Sequence, residues 1–281
     1  MTKENIIFNR NHYVSGSKGT FTYKLPTSVK FENAEVGVQS IAVYNSTFNI
    51  ESSRGNNTIT VRWVADTTVD YTFTIPDGYY SYSDLNYFLQ QQMILEDLYV
   101  TNSSGDYVYF VEILTNATRY AAQLNSYALP DSSTASTLSY TKPAGGSWDW
   151  PTTSSTPQII INAAFGSLIG FEAGTFPSSV SATNVQQLSS ITPTISPVSS
   201  YILGCNLVNA TMSIPSSTFF SLPLTASYGA LITLQSQSVN YVTVMPGLFN
   251  EITLQLYDQS FEFLNLQDTD IVIVLSIVIT K

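Results

Sequence analysis

Asn57-Thr58-Ile59-Thr60-Val61-Arg62-Trp63-Val64 sets Ile59, Val61 and Trp63 on one side of an extended chain and Thr60 and Arg62 on the other. Side chains alternate faces along a strand, so apolar residues at a two-residue period mark a half-buried strand. The period recurs at Tyr71, Phe73 and Ile75, at Phe21, Tyr23 and Leu25, and at Val36 and Val38 within 35–44. Gly55-Asn56-Asn57 supplies a turn between two of these runs, because Gly and Asn tolerate the backbone angles of a tight reversal.

Strand patterns continue at 107–114, 119–124 and 159–161, and return at 201–208, 230–234, 241–244, 251–257 and 270–279. The β-branched tail Ile271–Ile279 is far too short to cross a membrane as a helix and reads as a buried strand, so no membrane insertion is expected. One segment breaks the period. After the Pro76-Asp77-Gly78 turn, Ser81 or Ser83 offers an N-cap and Asp84 sits near the positive helix end. Leu85, Phe88, Leu89 and Met93 follow at helical spacing, which predicts the one convincing helix over about 82–95. Residues 165–171 suit one or two helical turns. Residues 130–157 and 178–200 are polar and Pro-containing, and the first is expected to be a long exposed loop.

Eight or more strands around one core predict an all-β protein, a single jelly-roll sandwich with an inserted mixed α/β subdomain. The expected division is an N-terminal arm over 1–19, the jelly roll over 20–75 and 191–281, and the insertion over 76–190.

Composition narrows the function. Of 281 residues 11% are charged, and His12 and Cys205 are the single histidine and cysteine. Proton transfer and metal binding need clustered ionisable groups, which this chain can barely assemble. A catalytic triad would depend on His12. Cys205 lies in the apolar run Tyr201–Leu207 and reads as a small core residue. The pairs Asp258/Glu262 and Asp268/Asp270 sit where strands turn. The reading is no catalytic residue, no metal, no cofactor and no enzyme. Met1–Asn5 does not read as a signal peptide, so the sequons at Asn45, Asn56, Asn102, Asn116 and Asn209 are taken as by-products of a Ser/Thr/Asn-rich chain.

The net charge of -10 argues against an electrostatic nucleic-acid binder. Residues 1–30 nevertheless carry Lys3, Arg10, Lys18, Lys24 and Lys30 against Glu4 alone. The arm is either a solvated tail or a segment that meets an acidic partner or the inside of an assembly. Trp148 and Trp150 stand in the polar 130–157 segment, where exposed tryptophans are costly unless covered. Lys3, Arg10, Lys18, Trp148 and Trp150 are therefore the candidate interface residues, with local packing the alternative for the two tryptophans.

Several stretches resemble the penton-type single-jelly-roll minor capsid proteins of virophages, polinton-like viruses and related double-stranded DNA viruses. They are Phe73–Ser81, the helix start Asp84-Leu85-Asn86, Leu168-Ile169-Gly170-Phe171, and Tyr201–Asn209. The resemblance implies a virion protein without catalytic residues that assembles as a homopentamer at fivefold vertices and contacts the major capsid protein. It also implies that the insertion projects outward, and the arm is expected to meet the capsid interior. A carbohydrate- or receptor-binding β-sandwich, such as a fibre head or lectin-like module, is the alternative.

Overall fold

The computed structural model describes residues 2–63 and 69–280. The chain divides into two units, Met1–Phe48 with Val198–Lys281, and Asn49–Pro197.

The first unit holds β1 (Thr2–Asn9), β2 (Thr20–Phe31) and β3 (Ala34–Tyr44). After the second unit it resumes with β13 (Ser200–Cys205), β14 (Thr218–Pro223), β15 (Leu231–Gln235), β16 (Val242–Thr243), β17 (Gly247–Tyr257) and β18 (Val272–Ile279). One sheet runs β1-β18-β3-β15, with β16 also on β3; the other runs β14-β13-β17-β2. First pairs with last, β1 with β18. The pairing then steps inward through β2 with β17 and β3 with β15 to β13 with β14, always antiparallel. A two-stranded ribbon rolled up on itself in this way is a jelly roll.

Alternation explains how the ribbon finds its inside. Phe8, Phe21, Ile41, Leu203, Leu254 and Ile273 come from six strands of the two sheets and share one buried cluster. Each such side chain contributes about 1.5–3 kcal/mol through burial.

Residues 2–9 differ from expectation. They are not a free arm, because β1 pairs with β18 along its whole length, from Thr2↔Ile279 to Asn9↔Val272. Phe8 is fully buried. Within this mostly polar segment one aromatic anchor, Phe8, and a partner strand suffice.

The second unit contains β4 (Thr58–Trp63), β5 (Val69–Thr74), α1 (Tyr82–Leu95), β6 (Val100–Thr101), β7 (Tyr107–Val108), β8 (Val111–Asn116) and β9 (Ala121–Ser126). It continues with α2 (Ser132–Thr137), β10 (Gln158–Ile161), α3 (Ala163–Ile169), β11 (Gly174–Phe176) and β12 (Val185–Leu188). Its sheets run β11-β10-β4-β5 and β12-β9-β8, with β6-β7 as a small hairpin. The strand expected to reach Val64 ends its described part at Trp63, and Val64 lies outside the described residues.

The helix at 82–95 starts as read. Ser81 Oγ accepts from the Asp84 amide and Asp84 Oδ2 accepts from the Ser81 amide, a reciprocal cap. Leu85, Leu89 and Met93 are buried, and α1 packs on β8. It is not the one helix, since α2 and α3 are also present. Gly170, at φ 83°, ends α3 in the left-handed conformation that favours glycine.

The boundaries also move. Residues 49–75 belong with the second unit, because β4 pairs with β5 and β10. Residues 191–197 belong there too. A strand's own period does not say which sheet it joins. Nor is 130–157 exposed throughout: many of its residues face solvent, but it contains α2, and Ala135, Trp148 and Thr156 are buried. A few well-placed anchors outweigh its polar average.

Candidate functional site

Chemistry can be placed first. His12 closes a local turn, its Nδ1 accepting from the Asn9 amide at 3.1 Å while its ring stacks on Tyr23 at 5.0 Å. Asp258 Oδ1 accepts from the amides of Ser260 and Glu262, and Asp268 Oδ1 from the amide of Asp270. Both carboxylate pairs thus serve turns. Among the described residues no group of three His, Cys, Asp or Glu is placed to hold a metal ion. Cys205 is buried, and burial pushes its thiol up to about 12. Asn56 is buried with its side chain bonded to Glu51 and Asn49 backbone, so that sequon is closed to modification.

The candidate interface residues scatter. Lys3 is exposed on β1, and Arg10 and Lys18 are exposed in the segment between β1 and β2. Trp148 is 6% exposed. It packs edge-on against Trp63 and Trp150, each 5.4 Å away between ring centres. Trp148 is therefore a core residue. Trp150 is half-buried against the same cluster. The local-packing alternative holds for Trp148 because its indole finds both apolar neighbours and a hydrogen-bond acceptor.

Two surfaces stand out. The first is the solvent side of the β1-β18-β3-β15 sheet. Ile7 faces Val274, Val272 faces Ala42, and Leu231 faces Tyr44 in the ladder. Ile7, Val272 and Leu231 are exposed, while their chain neighbours Phe8, Ile273 and Ile232 are buried. Antiparallel sheets with one wet face usually carry polar residues there, so this apolar band is unusual. Part of that face is covered by the chain before β16: Tyr241 Oη lies 3.1 Å from Ser276 Oγ. The loop between β13 and β14 adds Met212, 99% exposed, and Ile214.

The second is a groove in the Asn49–Pro197 unit. Two depressions of about 510 and 350 Å³ share a wall made of Tyr82, Thr115 and Ile195. Tyr87, Asn86 and Gln90 of α1 line the first, and Tyr120 and Pro193 the second. Buried Asn49 clasps this wall. Its Nδ2 donates to the carbonyls of Tyr80 and Ile195, and its Oδ1 accepts from the Tyr80 amide, at 2.7–2.8 Å. Asn86 Oδ1 accepts from the Ile113 amide at 3.0 Å, pinning α1 to β8.

Comparisons with known proteins add the following. No family model matches the chain, and no curated protein matches it. Among solved structures, the crystal structure of the selenomethionine-labelled mavirus penton protein is similar with a TM-score of 0.45 and 11% identity, over 98% of this chain and 97% of that one. The Sputnik virophage structure determined by electron cryo-microscopy is similar with a TM-score of 0.41 and 12% identity, over 99% of this chain and 97% of that one. At these values neither likeness assigns a role to any residue of this chain.

Proposed function

We propose that this chain is a virion structural protein, a penton-type minor capsid protein that assembles as a homopentamer at fivefold vertices and contacts the major capsid protein. The observation that carries this reading is the uncovered apolar band of Ile7, Val272 and Leu231 on the outer face of a jelly roll. Contiguous apolar surface on a soluble sheet marks a contact, and a neighbouring copy in a closed ring would cover the same patch on every subunit. The low charge content agrees, since the buried centres of interfaces are depleted of charge. The sequence stretches that resemble this class sit at structural positions: Phe73–Ser81 leads from β5 to the α1 cap, and Leu168–Phe171 closes α3. Capsid-interior contact by a mobile arm is not retained for residues 2–9, which form β1.

The test is the oligomeric state of the purified chain by sedimentation and negative-stain imaging. Rings of five are expected, dissociating in Leu231→Lys with the subunit still folded. A monomer or trimer at all concentrations would overturn the reading.

A further inference from the structure

We propose that the tyrosine-lined groove along α1 binds a neutral, hydroxyl-rich glycan. Tyr87 is 64% and Tyr120 77% exposed, so an aromatic ring stands in water in the lining of each of the two adjoining depressions. A tyrosine offers a flat apolar face with a polar tip and loses little freedom when covered. The apolar C–H face of a sugar ring fits such a platform, and its hydroxyls fit a fringe of amides and hydroxyls. Asn86, Gln90 and Thr115 supply that fringe.

Charge selects the class. Among the described residues, no acidic or basic side chain lines either depression. An anionic or cationic ligand would give up water without gaining a counter-charge, so a neutral ligand is favoured. The same absence disfavours a basic peptide.

Two further features point to a ligand. Tyr82 is 9% exposed and lines both depressions, and among the described residues its buried hydroxyl has no hydrogen-bond partner. A buried hydroxyl normally has one. Burial, with Tyr120 nearby, pushes this hydroxyl up to about 12, so it remains a donor throughout the neutral range. Tyr120 itself holds φ 49° and ψ 48°, the left-handed region that costs an aromatic residue strain. Strain of about 1–3 kcal/mol persists where the surroundings over-determine it, commonly at binding sites. The groove is also preformed, through the Asn49 clasp and the Asn86–Ile113 bond, so binding would order little.

The experiment uses the full chain and ligand-observed saturation-transfer NMR with three neutral probes at millimolar concentration: maltohexaose, cellohexaose and chitohexaose. A proline-rich peptide is the competing probe. Binding of at least one sugar is expected, weakened about two- to tenfold in Tyr87→Ala and in Tyr120→Ala, the size of one lost ring stack. Tyr87→Phe should retain most of the binding, and all three variants should melt with the parent. The proposal is overturned if none of the sugars binds, if binding ignores both alanine variants, or if only the peptide binds in the groove.

Discussion

Trp148 Nε1 donates to the Asp97 carbonyl at 2.7 Å and so ties the segment after α2 to the end of α1. The acceptor is held ready by the way α1 stops. Asp97 adopts φ 56°, its amide donates to the Ile94 carbonyl, and the Leu98 amide donates to the Met93 carbonyl. That is a Schellman closure with aspartate where glycine is usual. Buried Leu98 and Met93 belong to the same core cluster.

Trp148→Ala should therefore destabilise the chain by about 3–5 kcal/mol, the cost of emptying a large aromatic site. Trp148→Phe keeps most of the packing and loses the indole donor, so about 1 kcal/mol is expected beyond the volume change. Urea unfolding followed by the remaining tryptophans reads both values. Two variants as stable as the parent would show that this segment is not anchored.

Removal of residues 2–9 should abolish soluble folding. It deletes β1, empties the Phe8 site and bares the long edge of β18, which invites pairing with other chains. The single change Phe8→Ala should cost about 3–5 kcal/mol. Soluble yield and melting temperature check this, and a truncated chain that melts like the parent would refute it.

Gly37 of β3 lies under the chain preceding β16. A Cβ there would collide with the Val239 side chain and the Asn240 carbonyl. Gly37→Val should lower stability by about 1–3 kcal/mol, the range for overpacking, with Gly37→Ala in between. If the valine variant unfolds at the parent's denaturant midpoint, the covering segment moves aside freely.

The Cys205 thiol should be silent to thiol reagents in the native chain and react only on unfolding. Burial raises it from 9.0 to about 12. Below pH 9 the thiol is neutral in both states and contributes no pH dependence. Between those values only the unfolded chain ionises, so stability falls as pH rises through the window. Comparing the parent with Cys205→Ala at pH 8 and pH 10 isolates this effect from that of the buried tyrosines. The loss on raising pH should be smaller in the variant, and an equal loss in both would rule it out.

Local chemistry was legible wherever a single period or cap decided the outcome. Alternation at Ile59, Val61 and Trp63 and at Phe21 and Tyr23 marked strands, and Ser81 with Asp84 marked the start of α1. The buried Cys205 followed from its apolar run. Membership was not legible. Nothing in β4 says that it pairs with β10 and β5, nothing in Thr2–Asn9 says that β18 accepts it, and Trp148 in a polar stretch does not announce its acceptor 51 residues earlier. The groove as a whole was not legible for the same reason: its residues Asn49, Tyr82, Tyr120 and Ile195 are scattered along the chain. Strand period and helix caps are set by neighbours a few residues apart, so the sequence by itself determined most of the segments that extend, the longest helix, α1, and how little ionic chemistry is available. Sheet order, unit boundaries and both candidate surfaces depend on which distant apolar faces exclude water together, and only the tertiary structure decides that.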